Sequence, residues 1–280
     1  RASNLCQLQY LGFDIPKGIV ITTEAYNRFI SSDDHFMLSD DLFDEIYNGL
    51  HQLESITKKQ YGSDSLLLLS ISGNFPIPTV NCVGLNDYYV QILEKQTNNK
   101  IFAYDSYRRL IASYGIVVCG IPESVFDDLY YDYKSSRNYQ DLSDFTAFDL
   151  IQLVKMNKAI ISQQGKRHFP QDPTDQFRDI ILGIYQYYEN EDIVTYFRKT
   201  FTPIDGCSIL INSMVYGAKS KKSCSIVVGT NDVAGGDYGF FGFYAIESFL
   251  DDVCENRKPT KPFEELQNDF PKSYKLISSK

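Results

Sequence analysis

The chain has 280 residues, 43% of them apolar, and a formal net charge of −9. That length suits one large domain or two to three packed subdomains, and the apolar share is enough for a sizeable core. The acidic balance argues against general binding to nucleic acid or to an anionic membrane, and no run of 18 apolar residues marks a membrane span.

Leu5, Leu8 and Leu11 share one face of an opening helix that Gly12 ends. After Pro16 and Gly18, Ile19-Val20-Ile21 is expected as a short buried strand. Thr22 and Thr23 are candidate caps for a helix from Glu24, with Tyr26, Phe29 and Ile30 facing inward. Leu42, Ile46, Leu50 and Leu53 predict a helix over 41–60, and the apolar run 66–72 predicts a central strand. A proline-rich loop, 75–78, follows. Tyr104, Tyr107, Leu110, Ile111 and Tyr114 place a helix over 104–119, with Asp105 as its expected cap and Gly120 and Pro122 closing it. The acidic, tyrosine-rich stretch 127–145 is expected as a surface loop or short helix. Helices follow over 146–164 and, from Asp172-Pro173, over 173–188. Three β-rich runs, 207–212, 224–228 and 239–244, predict an antiparallel meander before a last helical turn at 263–266.

The six cysteines, Cys6, Cys82, Cys119, Cys207, Cys224 and Cys254, are dispersed without a C-x-x-C pair or a nearby histidine. Clustered ligands are what a zinc site needs, so no metal is expected from them. Cys119, Cys207 and Cys224 sit in apolar runs and suit reduced core thiols of an intracellular, reducing compartment, the cytoplasm or an organelle. His35, His51 and His168 lie in polar stretches and are expected on the surface. No Ser/His/Asp or Cys/His arrangement stands out, so no catalytic residue is assigned. The 21 tyrosines, absent tryptophan and many Asn, Ile and Lys suggest an AT-rich genome.

Four segments together resemble a known family: Ser3-Asn4-Leu5 with Ile15-Pro16-Lys17-Gly18-Ile19-Val20-Ile21-Thr22-Thr23, then Phe102-Ala103-Tyr104-Asp105-Ser106-Tyr107-Arg108-Arg109, Phe169-Pro170-Gln171-Asp172-Pro173, and Ser213-Met214-Val215-Tyr216-Gly217-Ala218. They are similar to the N-terminal ATP-grasp domain of pyruvate phosphate dikinase, from the first residue almost to the last. The resemblance implies an α+β, ATP-grasp-like fold. It divides into a mixed N-terminal lobe (1–101), a helical insert (102–168) and an antiparallel β-rich lobe with a C-terminal helix (169–280). It also implies that the chain begins inside a motif and is a piece of a longer polypeptide.

The residues that the resemblance would put around a nucleotide are largely changed. The family's phosphate-touching lysine falls at Arg1. The arginine of V-S-V-R-S-G-A is missing after Ser70-Ile71, and the glycine-rich M-P-G-M-M-D-T loop is shortened before Gly84-Leu85-Asn86-Asp87. Tyr196-Phe197-Arg198 matches a Y-x-R element, taken as a strand. The glutamine of V-Q-x-M-V-F-G is Asn212, Thr230 is retained, and the arginine after it is Asn231. The magnesium-holding glutamate of L-Y-G-E-F corresponds to Phe240, and the glutamine of N-A-Q-G-E-D-V to Phe249. Metal-assisted phosphoryl transfer needs carboxylates for Mg²⁺ and cations for the phosphates. The expectation is therefore a non-catalytic module of a larger protein assembly, with no cofactor. The alternative is the ATP-binding domain of a divergent dikinase phosphotransferase, with Mg-ATP held by Arg1, Arg198, Asn212 and Thr230. Candidate partner contacts are Tyr130, Tyr131 and Tyr133, since tyrosine suits interfaces, and the basic tip Lys219, Lys221 and Lys222.

Overall fold

The computed structural model describes residues 2–32, 37–74, 76–200, 206–232 and 235–279. Arg1 and His35 therefore lie outside the described residues. The fold is α+β, and the chain divides between Met214 and Val215 into a larger and a smaller compact unit.

The larger unit runs α1 (Ala2–Tyr10), β1 (Gly18–Ile21), α2 (Thr23–Ile30), α3 (Asp40–Thr57), β2 (Leu69–Ser72), β3 (Val80–Val83), α4 (Tyr89–Thr97), α5 (Lys100–Cys119), α6 (Glu123–Ser136), α7 (Ala147–Gln164), α8 (Pro173–Tyr188), α9 (Glu191–Lys199) and β4 (Ile209–Ser213). Its four strands form one antiparallel sheet in the order β1-β4-β2-β3. One face is core: Ile21, Ile209, Ile211, Leu69 and Ile71 are all buried. The strand expected to open a β-rich meander is thus β4, inserted between β1 and β2. The strand at 18–21 is an edge strand with Val20 46% exposed, not a buried one. The leucine face of α1 is not core either, since Leu8 and Leu11 are exposed.

Helix α5 is the hub. Asn99 caps it by accepting from the Phe102 amide, and Gly120, at φ 65°, ends it in the left-handed conformation that glycine adopts without penalty. Asp105 is not the cap. It sits within the second turn, fully buried, and accepts at 2.8 Å from Nε of both Arg108 and Arg109. Burial alone would raise its pKa, but the two guanidiniums overcome that and hold it at about 2. Nor are these arginines surface groups: their side chains are 11% and 19% exposed, and Arg108 stacks over the Tyr130 ring at 4.6 Å.

The stretch 127–145 takes the helical alternative over its first half, as the end of α6. Phe126, Leu129, Tyr130 and Tyr133 recur at three- and four-residue spacing, so aromatic rings supply the apolar stripe that aliphatic residues usually give. Leu129, Tyr130 and Tyr133 pack on Phe145, Leu150 and Leu153. Asp149, buried at the start of α7, closes a capping box with Thr146 and accepts from the Tyr133 and Tyr139 hydroxyls at 2.8 and 3.1 Å. Its pKa is held at about 2: burial opposes ionisation, and the donors from Thr146, Tyr133 and Tyr139 more than offset it.

The segment 191–199 is also helix, where a strand was expected around Tyr196-Phe197-Arg198. Asn190 accepts from the Asp192 amide, acidic residues open the helix, and Arg198 and Lys199 close it. That charge order suits the helix dipole. Behind it, Tyr185 lies among Tyr26 and Phe29 with ring centroids 5.3 and 5.2 Å away. Among the described residues its buried hydroxyl has no hydrogen-bond partner.

The smaller unit has β5 (Cys224–Asn231), β6 (Tyr238–Ile246), α10 (Leu250–Cys254), β7 (Lys261–Pro262), α11 (Leu266–Asp269) and α12 (Pro271–Ser278), with sheet order β5-β6-β7. One sheet face packs Tyr244 against Phe263 and Leu266, with Phe240, Phe270 and Tyr274 around them. The other exposes Val227, Phe241 and Phe243. The Tyr244 hydroxyl and Lys261 both donate to Asp269, at 2.6 and 2.7 Å. Among the described residues no helix is long and apolar enough to cross a membrane.

Candidate functional site

The outer face of the larger unit's sheet carries a polar row fixed by strand register. Gly18 stands opposite Asn212, and Asn212 opposite Ser70. The Ser70 hydroxyl donates to Asn81 Oδ1 at 2.7 Å, which extends the row onto β3. The row needs glycine at one end: a Cβ at position 18 would lie 2.1 Å from Asn212 Oδ1 and 2.7 Å from the Ile211 carbonyl oxygen.

Beside this row lies a cavity of about 180 Å³ between α1 and the strands. Leu5, Cys6 and Gln9 give its helical wall, Leu210 and Asn212 its floor, and Lys17 its rim. Asn212 is half-buried and its side-chain amide has no partner among the described residues, so it is a free polar group of the cavity. The volume is below the roughly 300–1,000 Å³ of ordinary small-ligand pockets.

The neighbouring β2–β3 connection is tied through Asn74 to the segment ahead of β4. Asn74 donates to the Gly206 carbonyl at 3.1 Å and accepts from the Ser208 hydroxyl at 3.0 Å, and Ile77 is buried. These are neutral, mutually satisfied groups where the resemblance implies an arginine and a phosphate-cradling glycine loop.

The other expected nucleotide residues belong to different elements. Arg1 is outside the described residues. Arg198 is exposed in the last turn of α9, with no hydrogen bond or ion pair to Asn212. Thr230 is exposed on β5 of the smaller unit, where the register shifts between Gly229 and Asn231.

The resemblance sets Phe240 against the family's magnesium glutamate. Phe240 turns into the apolar cluster, its ring 5.7 Å from Phe263. A hydrated cation could not be held there. Strand alternation gives the open face to Phe241 and Phe243. Among the described residues no group of three or more His, Cys, Asp or Glu is arranged to hold a metal. Burial pushes the Cys207 thiol up to about 12, so that cysteine is neither a thiolate nucleophile nor a ready ligand.

The tyrosines expected at a partner surface split. Tyr130 stacks on Phe145 at 5.4 Å and Tyr133 bonds Asp149, so both serve the insert's own packing, while Tyr131 is exposed. The basic tip is not the end of a hairpin, because β4 belongs to the other sheet. It is a turn leading into β5, held by the Ser220 and Ser223 hydroxyls, with Lys219, Lys221 and Lys222 exposed.

What sequence reasoning missed was the pairing of Gly18 and Ser70 with Asn212. The signal was the alternation in Ile209–Ser213, which marks a strand with one buried face but not its neighbours.

Comparison with known proteins places the chain. It is 32% identical to a pyruvate, phosphate dikinase of Clostridium symbiosum over 98% of its own length and 32% of that protein's. It is 28% identical to the dikinase of Entamoeba histolytica over 90% of its length and 30% of the relative's. It is 29% identical to a chloroplastic dikinase of Flaveria trinervia over 99% and 30%. The chain thus spans about a third of the curated relatives it matches. No family model matches it.

Proposed function

We infer that this pyruvate phosphate dikinase-related chain is a non-catalytic module, kept for its fold and for contacts with other protein subunits of a larger assembly. One observation carries the reading. Where the resemblance would ask for charge, the chain has groups that satisfy one another or are hydrocarbon: Ser70 with Asn81, Asn74 with Ser208, and Phe240 within an apolar cluster. Electrostatic stabilisation is the main service an enzyme gives a transferring phosphoryl group, and none of these supplies it. Tyr131, Lys219, Lys221 and Lys222 are the exposed residues assigned to partner contact. Tyr131→Arg or a Lys221→Glu/Lys222→Glu pair should weaken co-purification of the native assembly, and unchanged recovery removes those residues from the interface. The intracellular, reducing compartment and the division at 101/102 and 168/169 belong to the same proposal.

A second reading has its own support. The unpartnered amide of Asn212 beside Lys17 is what a base edge or a phosphate oxygen would use. An ATP-binding domain of a divergent dikinase would combine it with Arg1, Arg198 and Thr230 around Mg-ATP. Thermal unfolding with and without millimolar Mg-ATP decides. Ligand at 100 times its Kd adds about 2.7 kcal/mol, a rise of about 5–10 °C for a chain of this size. No rise, in a cooperatively folding sample, is expected of the non-catalytic module. A rise of that order removes it.

A further inference from the structure

We propose that the open edge of β1 is a strand-addition site for a basic, extended segment of a partner protein. The hydrogen-bond parity of the sheet sets up the site. The Ser213 amide donates to the Lys17 carbonyl at 2.8 Å, and Met214 to Leu68 at 2.9 Å. In an antiparallel pair the bonded residues alternate. With Gly18 opposite Asn212, the odd-numbered residues 17, 19 and 21 therefore bond β4, and Gly18 and Val20 turn their N–H and C=O groups the other way. Among the described residues no strand meets them on that side. Two donors and two acceptors stand in the repeat that another extended backbone would match.

A groove runs along that edge. It measures about 380 Å³, within the range of ligand-holding clefts. Its far wall is one stripe of α3, in which Leu42, Glu45, Ile46, Gly49 and Gln52 recur at helical spacing. Gly49 keeps the trough open: a Cβ there would already lie 3.2 Å from the Ile19 Cδ1. An added strand would place alternate side chains over this apolar floor, the usual division in which backbone gives affinity and pockets give selectivity.

Charge chooses the occupant. Glu45 lines the groove and pairs with Arg28, and Glu24 and Asp41 lie close enough to act on the same guanidinium. Three carboxylates around one arginine leave the rim acidic. An incoming segment with apolar residues inward and lysine or arginine outward complements it. The site is independent of the nucleotide question, since an ATP-binding chain would carry the same edge.

The test titrates the whole chain with a short fluorescent peptide of alternating lysine and valine, read by anisotropy. Saturable binding is expected, with amide hydrogen exchange slowed at Gly18 and Val20. The same peptide N-methylated at alternate residues, which keeps its charge but loses its donors, should bind at least about tenfold more weakly, a difference of about 1.4 kcal/mol. Val20→Pro, which deletes an outward N–H, should have the same effect. Equal affinity for the methylated peptide, or exchange at Gly18 and Val20 that does not change, overturns the proposal. So does sedimentation showing that these amides are protected by a second copy of the chain.

Discussion

Replacing Asp105 by asparagine tests whether the buried Asp105–Arg108–Arg109 cluster organises the helical core. The carboxylate falls from its usual 3.8 to about 2 in the fold. At 1.36 kcal/mol per unit, that is about 2 kcal/mol of preference for the charged form. Asparagine keeps one acceptor but takes a shared, buried counter-charge from two guanidiniums that are 11% and 19% exposed. Breaking a buried pair in this way costs roughly 3–5 kcal/mol, and the retained acceptor puts Asp105→Asn near the lower end. Urea denaturation followed by far-ultraviolet circular dichroism should show the midpoint falling with an unchanged slope, the mark of lost stability rather than altered compactness. The pH dependence is specific. Because the folded carboxyl is depressed, its contribution is fully present above about pH 4 and is lost as pH falls through about 2. The gap between wild type and variant should therefore narrow by about 2 kcal/mol across that window. A gap below about 1 kcal/mol at neutral pH, or one that does not narrow in acid, would refute the reasoning.

Tyr185→Phe removes a buried hydroxyl that has no partner among the described residues. Such a group costs about 1–3 kcal/mol of desolvation, so the variant should match or exceed wild type in calorimetry, whereas a clear loss would mean the hydroxyl is in fact bonded. Gly18→Ala brings a methyl 2.7 Å from the Ile211 carbonyl oxygen and should cost about 1–3 kcal/mol. Asn212→Ala should not rescue it, because the backbone clash remains; a double-mutant cycle with full rescue would show that only the amide was in the way. Asp149→Ala takes an acceptor from Thr146, Tyr133 and Tyr139 together. A loss of about 2–3 kcal/mol is expected, with hydrogen exchange accelerated first in α6 and the start of α7.

Much of the helical frame was legible. The bounds of α7 and α8 follow from Thr146, Gly165 and Asp172-Pro173, since caps and N1 prolines act through neighbouring backbone and leave a local signature. Helix α6 was obscured because its stripe is tyrosine, a residue equally at home on a surface. Asp105 misled for a related reason: an aspartate near a helix start suits a cap, and the same spacing to Arg108 and Arg109 describes an exposed pair as well as a buried one. Only tertiary packing separates those cases. The place of β4 was out of reach, because strand pairing joins residues distant in sequence and the strand itself names no partner. The candidate site shared that limit: Asn212 was identified, but the row that Gly18 and Ser70 make with it depends on register.

Strand β5 has a consequence for handling the protein. Its eight residues contain no charge and no proline, it borders its sheet with β6 as its one neighbour, and Val227 on its open face is exposed beside Phe243. Segments of that composition on an open edge are templates for intermolecular pairing and aggregation. The lysines at 219, 221 and 222 stand just ahead of it and act as gatekeepers, since a second molecule stacking in register would bring like charges together. Raising the salt concentration shortens the reach of that repulsion from about 10 Å at 0.1 M to about 3 Å at 1 M. Concentrated stocks should therefore cloud sooner at high ionic strength than at low, the reverse of ordinary salting-in.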